Sequence, residues 1–301
     1  MSKTAIITGA SSGLGLHIAK RLLRHGGYKL VLGARNPEKI TRATSEINAE
    51  IPGLEKDVFQ FWTLDLNNRD SITSFVARFK TDIPTGLDLL INNGGVMGAP
   101  HELAADGIEL HFDTNYLGHY ILTEALLDCL NENARILLIS SGFYKNAQGV
   151  PTLSELTSLP AIKNFKPNQL YSLSKLANCL HAVELDAKLQ SDESNPRLKS
   201  VKVFAIRPGF VRGTELGRHV NVVLRTLASP IIWAVSKDIE AGTDTMFHCA
   251  TAPIETLESG KLYADKQLEE YASNVTPGAV EQLRSLTKEL LKTSTASAGT
   301  E

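Results

Sequence analysis

Thr8-Gly9-Ala10-Ser11-Ser12-Gly13-Leu14-Gly15 stands between a short apolar run (residues 4–8) and an amphipathic segment (14–23). Strand, glycine turn and helix form the arrangement in which backbone N–H groups and a helix N-terminus receive a dinucleotide pyrophosphate. The spacing is not the common G-x-G-x-x-G: three residues separate Gly9 from Gly13, and one separates Gly13 from Gly15. Taken alone, the loop is also explained by a turn that needs positive φ or a close helix–strand approach.

Working outward, strand-like runs alternate with helical patterns along the whole chain. Strands are expected at 5–8, 29–32, 59–65, 87–92, 135–140 and 202–205, with a short seventh at 261–263. Their apolar, often non-alternating character suits a parallel sheet buried on both faces. Helices are expected at 14–24, 38–50, 70–80, 107–130, 169–190 and 239–250. Repeated βα units with right-handed crossovers imply one α/β domain of the Rossmann type, over residues 1–292. Its sheet is expected to be doubly wound, mostly parallel and seven-stranded. The Thr/Ser/Ala/Gly-rich stretch at 293–301 reads as a disordered tail.

A chain of 301 residues with 43% hydrophobic content can bury a large core. A formal net charge of −2 gives no reason to expect nucleic acid or an anionic membrane as partner. Cys129, Cys179 and Cys249 show no metal or disulfide spacing, which suits a reducing compartment. With the first strand starting near residue 3 and no apolar run long enough to span a bilayer, a soluble, cytoplasmic protein is expected. His119 and His219 lack the accompanying Cys, His or carboxylate ligands that zinc needs.

Far downstream of the glycine loop lies Tyr171-Ser172-Leu173-Ser174-Lys175. Residues four apart on a helix share one face, so Lys175 can sit beneath the Tyr171 phenol. A cation there lowers a tyrosine pKa by roughly 1–3 units from about 10, toward the range useful for carbonyl–alcohol interconversion. Tyrosine and lysine fall four apart by chance in most proteins, so the pair gains force only from its surroundings.

With both motifs in place, the chain resembles the short-chain dehydrogenase/reductase family, from about residue 3 to residue 263. The glycine loop matches the family's T-G-x-x-x-G-x-G. Asp65-Leu66 ends the third strand-like run, where the family places adenine contacts. Asn92-Asn93-Gly94-Gly95 matches the family's N-N-A-G with glycine in place of alanine at position 94. Asn115, Ser141, Tyr171 and Lys175 fall on the family's catalytic tetrad, and Pro208-Gly209 on the turn that approaches the nicotinamide. The resemblance implies cofactor contacts from Gly9, Ser11, Ser12, Gly13, Leu14, Gly15, Arg35, Asp65, Leu66, Asn92, Gly94, Tyr171, Lys175, Pro208, Gly209, Val211 and Thr214. The threonine stands one residue later than in P-G-x-V-x-T, so its contact is in question. About thirty residues separate Ser141 from Tyr171, which is similar to the subgroup of retinol dehydrogenases, the WW-domain oxidoreductase and protochlorophyllide reductase.

The cofactor implied is NADP(H). At the end of the second strand, Ala34 stands where an acid would bind the ribose hydroxyls of NAD, and Arg35 follows it. A guanidinium can fork onto a 2′-phosphate, with Ser11 and Ser12 as further donors. Arg35 is otherwise read as a solvated residue before Asn36-Pro37.

The family mechanism makes Tyr171 the general acid or base for a hydride transfer. Lys175 tunes the phenol, Ser141 holds the substrate oxygen, and Asn115 keeps a helix carbonyl and water in place. Ser140 rivals Ser141 for the serine role; otherwise Ser141 reads as a turn cap and Asn115 as a helix-interior polar residue. The substrate is expected to be a hydrophobic carbonyl compound or alcohol: a retinoid, a steroid, an aldehyde or an aromatic ketone. Residues 143–169 and 214–237 are expected to border it, the latter as a lid after the sixth strand, a lipid-surface contact or a buried segment. Phe143 and Trp233 read as packing residues. A silent NADP sensor or scaffold and a lipid-surface dehydrogenase are the other function classes. A homodimer through the helices at 107–130 and 169–190 stands beside a monomer.

Overall fold

The computed structural model describes residues 2–166, 168–209, 211 and 238–297. β1 (Lys3–Thr8) leads into α1 (Gly13–His25), followed by β2 (Tyr28–Ala34), α2 (Pro37–Glu50), β3 (Phe59–Thr63), α3 (Arg69–Asp82) and β4 (Leu87–Asn92). The next helical run opens at Leu110–Phe112, passes through a π-helical turn at Asp113–Leu117 and continues as α4 (Gly118–Leu126). Then come β5 (Leu130–Ile139), α5 (Gln169–Ser191), β6 (Lys202–Arg207), α6 (Ile239–Thr251), β7 (Lys261–Ala264), β8 (Gln267–Glu269) and α7 (Pro277–Ser297).

Among the described residues, eight strands form one sheet in the order β3-β2-β1-β4-β5-β6-β7-β8. Every pairing is parallel except β7 with β8. The sheet is Rossmann-like: the chain winds outward from β1 to β3, then returns and winds the other way from β4. That reversal opens a crevice beyond the carboxyl ends of β1 and β4, where ligands bind in such sheets. Alternate residues along each strand feed opposite cores, as a period of two requires. Ile6, Val31, Leu90, Ile136 and Val203 enter one cluster. Ala5, Leu30, Leu89, Leu137 and Phe204 enter the other. Helix starts are marked chemically: the Asn36 and Asn68 side chains accept from Lys39 N and Ser71 N, both at 2.9 Å.

Several expectations change in detail. The sheet has eight strands rather than seven, because β8 folds back on β7 through Asp265 and Lys266, both at positive φ. The helix expected at 107–130 starts at Leu110 and is broken by the π turn, and residues from Leu130 already belong to β5. α7 extends to Ser297, five residues into the stretch read as a disordered tail. Its Leu283, Leu286 and Leu290 are buried, Thr287 Oγ1 lies 2.6 Å from Tyr116 Oη, and Arg284 Nε donates to Glu184 Oε1 at 2.9 Å. Thr214 and the whole 214–237 lid segment lie outside the described residues. No helix among the described residues is long and apolar enough to cross a membrane.

Candidate active site

The glycine loop is built by close approach. Gly9 has φ of +64°, and a Cβ there would sit 2.7 Å from Gly94 Cα. Gly13 has φ of +55°. A Cβ on Gly15 would come within 2.5 Å of Asn93 Nδ2. A Cβ on Gly94 would sit 2.9 Å from Leu66 Cδ1, the end of a side chain that can shift, and 3.3 Å from Thr8 Oγ1. α1 starts with no side-chain cap and no acidic residue in its first turn. Its first N–H groups and the helix dipole therefore face the crevice without a built-in anion.

Thr8 locks this loop to the end of β4. Its Oγ1 accepts from Asn93 N (2.9 Å) and Gly94 N (2.8 Å) and lies 2.8 Å from His119 Nε2. His119 Nδ1 lies 3.1 Å from the Asn115 carbonyl oxygen, an acceptor only. Nδ1 therefore carries the proton, and the Thr8 hydroxyl donates to Nε2. Burial holds the His119 pKa down to about 3, so the ring is neutral. His119 thus ties the strand before the glycine loop to the π turn that carries Asn115, a role the sequence did not signal.

Arg35, at the end of β2, is half-exposed and 3.8 Å from Asp65 Oδ1. Asp65 Oδ1 also accepts from Asn67 N at 3.1 Å. Beside the loop lies a cavity of about 470 Å³ bordered by Ser11, Ser12 and Gly13 and by Lys39 and Arg42 on α2. Lys39 and Arg42 were not singled out in the sequence, because on a helix they read as ordinary solvated charges. Asn92 is placed differently from its neighbours. Its side chain is buried and donates to Thr123 Oγ1 at 2.8 Å, while its Oδ1 finds no partner among the described residues.

Asn115, Ser141, Tyr171 and Lys175 converge where β4, β5 and α5 meet. Asn115 Oδ1 accepts from Val96 N (2.8 Å), while its Nδ2 donates to Val96 O (3.0 Å) and Ser174 Oγ (2.9 Å). The side chain is a clamp between the loop after β4 and α5. Ser140 is spent on structure: its Oγ donates to Lys175 O at 2.8 Å and accepts from Cys179 Sγ at 3.2 Å. Ser141, next along, accepts from Phe143 N at 3.4 Å and lies close enough to the Tyr171 phenol to pull its pKa down. Lys175 Nζ lies 5.6 Å from the Tyr171 ring centroid and donates to Ile139 O at 2.8 Å. Pro208-Gly209 follows β6, with Gly209 at φ of +89°. Val211 packs on α6, where a Cβ on Gly242 would come within 2.5 Å of Val211 Cγ2.

The electrostatics differ from the sequence expectation. Burial pushes the Tyr171 phenol up to about 12, against a smaller downward pull from Ser141. Burial brings the Lys175 ammonium itself down to about 8. Both shifts have one cause: the pocket removes water and penalises each charged form.

A cleft of about 270 Å³ opens in front of Tyr171, bordered by residues 98–101, His111, Asn168 and Leu170. Phe143 stacks edge-on against Tyr171, with ring centroids 5.7 Å apart. Of the segments expected to border the substrate, 143–169 supplies Asn168 at the cleft, whereas the wall at 98–101 was not expected.

Beneath the π turn, Arg69 contacts both Asp106 and Asp113. One guanidinium cannot neutralise two carboxylates, and burial pushes Asp113 up to about 7, with Arg69 pulling the other way. Asp113 Oδ2 finds no hydrogen-bond partner among the described residues. A carboxyl whose folded pKa exceeds its unfolded value of about 4 stabilises fully below that value, and the contribution is lost as pH rises through 7. Parent stability minus that of Asp113→Asn is therefore expected to fall between pH 4 and 7, by up to about 4 kcal/mol. Urea unfolding of both proteins across that range checks it; a flat difference would show that Arg69 keeps Asp113 ionised throughout.

Comparisons with known proteins agree with this geometry. A family model described as short chain dehydrogenase matches residues 3–152. Retinol dehydrogenase 14 from Mus musculus is 33% identical over 279 residues, covering 89% of this chain and 79% of its own length. Short-chain dehydrogenase TIC 32 A, chloroplastic, from Brassica napus is 34% identical over 274 residues, covering 87% and 80%. A solved structure described as a putative uncharacterized protein from Mycobacterium paratuberculosis aligns with a TM-score of 0.67 and 27% identity, covering 96% of this chain and 93% of its own. A glycine loop at the switch point of a Rossmann-like sheet, a buried tyrosine–lysine pair at its edge and relatives spanning most of the chain lead to one assignment: the chain belongs to the short-chain dehydrogenase family, in its retinol-dehydrogenase-like subgroup, whose members interconvert carbonyls and alcohols.

Proposed function

We propose that this chain is an NADP(H)-dependent reductase of hydrophobic aldehydes or ketones, with Tyr171 as the proton donor. One observation carries this reading: the buried Tyr171, with Ser141 before it on the neighbouring strand end and Lys175 one helical turn on, borders a small cleft. The glycine cradle at Gly9 and Gly15, which a Cβ would fill, and the uncapped start of α1 fit a dinucleotide pyrophosphate. Gly13, Leu14 and Gly15 would present N–H groups to it. Arg35, Ser11, Ser12, Lys39 and Arg42 would surround a 2′-phosphate, and Asp65-Leu66 the adenine. Gly94, Pro208, Gly209 and Val211 would border the nicotinamide. The bound cofactor supplies the hydride to a carbonyl carbon, or accepts it in reverse.

The chain's own residues supply the rest. Tyr171 transfers its phenolic proton to the carbonyl oxygen, giving the alcohol, while Ser141 holds that oxygen against developing charge. A phenol held up to about 12 stays protonated at neutral pH and so carries the proton that reduction requires. The resulting phenolate lies beside the Lys175 ammonium, which is still mostly charged at pH 7. Asn115 keeps the loop after β4 and α5 in register, so that phenol and crevice stay aligned. The name of retinol dehydrogenase 14 points to long apolar alcohols and aldehydes, and Leu170 and Pro100 at the cleft suit such a chain.

NADPH oxidation over a panel of hydrophobic aldehydes, ketones and retinaldehyde tests the reading. Turnover with NADPH well above that with NADH is expected. Tight NADPH binding with no turnover across the panel would replace the reductase with a cofactor sensor.

A further inference from the structure

The cleft facing Tyr171 has one wall made of residues 98–101, a segment of Gly98, Ala99, Pro100 and His101. Pro100 has no N–H to offer. Among the described residues, a single hydrogen bond ties this segment to the body of the fold: Ala99 N donates to His111 Nε2 at 3.2 Å. His111 is buried, and its other nitrogen, Nδ1, lies 2.7 Å from Glu109 Oε1, also buried. Nε2 receives a proton donor and so carries none of its own. Nδ1 then holds the ring proton and donates it to the Glu109 carboxylate. Glu109 Oε2 meanwhile accepts from Phe112 N at 2.8 Å, capping the helical run that leads into the π turn and Asn115. One buried carboxylate thus sets both the wall of the cleft and the start of the segment that presents Asn115.

We propose that Glu109 and His111 are a positioning pair for the substrate cleft: Glu109 fixes the histidine tautomer, and His111 holds the 98–101 wall at a set distance from Tyr171, so that the pair governs which carbonyl substrates fit. The pair rests on the oxidoreductase reading for its substrate, but not for its geometry. Both nitrogens of His111 are already occupied, so the ring touches substrate through its edge only and takes no proton in the reaction. Its contribution is the shape of the cleft. Losing the anchor releases the wall, weakening binding of substrates that fill the cleft and sparing those small enough not to touch it.

The experiment compares the parent protein with His111→Leu and His111→Gln. The Leu side chain fills space but accepts nothing, whereas the Gln amide can accept from Ala99 N and donate to Glu109. In ¹⁵N spectra the parent His111 is expected as the Nδ1–H tautomer, and the Ala99 amide is expected to be protected from hydrogen exchange. In His111→Leu, Ala99 exchange should rise at least tenfold while core amides stay unchanged. KM for the bulkiest aldehyde that is turned over should rise roughly tenfold, the equivalent of about 1.4 kcal/mol, and by clearly more than KM for a short aldehyde, with NADPH affinity within about twofold. His111→Gln should restore most of the loss. Unchanged Ala99 exchange in His111→Leu, or equal losses for every substrate with no rescue by Gln, would overturn the proposal. If the parent turns over nothing, the reductase reading fails on its own, and the tautomer and the Ala99 exchange still decide whether the pair holds the wall.

Discussion

Tyr171→Phe is expected to lower kcat/KM for carbonyl reduction by on the order of 10²–10⁴ while leaving NADPH affinity within about twofold. The substitution removes one oxygen from a ring that is otherwise held by packing. Phe143 still meets it edge-on, and Lys175 still has the Ile139 carbonyl. What disappears is the proton donor. Stopped-turnover assays with NADPH fluorescence titration in parallel separate the two quantities. The pH profile adds a sign. With the phenol held near 12 and Lys175 near 8, Tyr171 remains protonated through pH 10, whereas Lys175 loses its charge above about 8. Reduction should therefore hold a plateau below pH 8 and fall above it. Lys175→Met should show a lower plateau with no break near pH 8. A break that survives in Lys175→Met would assign the titration to the phenol and place its pKa far below 12.

The features that survive from sequence to structure are those with a covalent or periodic signature. Glycines that need positive φ or admit a neighbouring backbone leave no alternative residue, so Gly9, Gly13 and Gly15 mark their turn directly. Apolar runs of five or six residues mark the buried strands. β8 escaped because it is three residues long and its turn uses Asp265 and Lys266 at positive φ instead of glycine. α7 carries a readable stripe at Val280, Leu283, Leu286 and Leu290. The polar stretch that follows it dominates the local composition and hides that stripe.

The site was legible as a set of residues but not as an electrostatic environment. Four-residue spacing places Lys175 near Tyr171, and it does so in the fold. Spacing says nothing about water, and burial reverses the expected direction of the Tyr171 shift. The π turn is equally silent in sequence, since one inserted residue per turn has no composition of its own. Glu109, His111 and His119 share that difficulty. Each acts by linking backbone segments that are distant along the chain, and no local pattern announces such a link.

Arg35→Asp is expected to shift the ratio of kcat/KM for NADPH over NADH by roughly 10²-fold toward NADH. Two changes add. A guanidinium–phosphate contact is charge-assisted, and such bonds are typically worth about 1.5–3 kcal/mol. The new carboxylate would also repel a 2′-phosphate and offer an acceptor to free ribose hydroxyls. The present partner of Arg35 does not compete strongly: Asp65 is 3.8 Å away and both side chains are more than a third exposed, a regime in which ion pairs contribute little. Lys39 and Arg42, which border the cavity beside Ser11 and Ser12, set the limit of the effect if the phosphate is held there and not at Arg35. The Lys39→Ala, Arg42→Ala double variant resolves the division. If Arg35→Asp leaves NADPH affinity unchanged while the double variant loses it, the phosphate is read from α2, and the arginine at the end of β2 is only its neighbour.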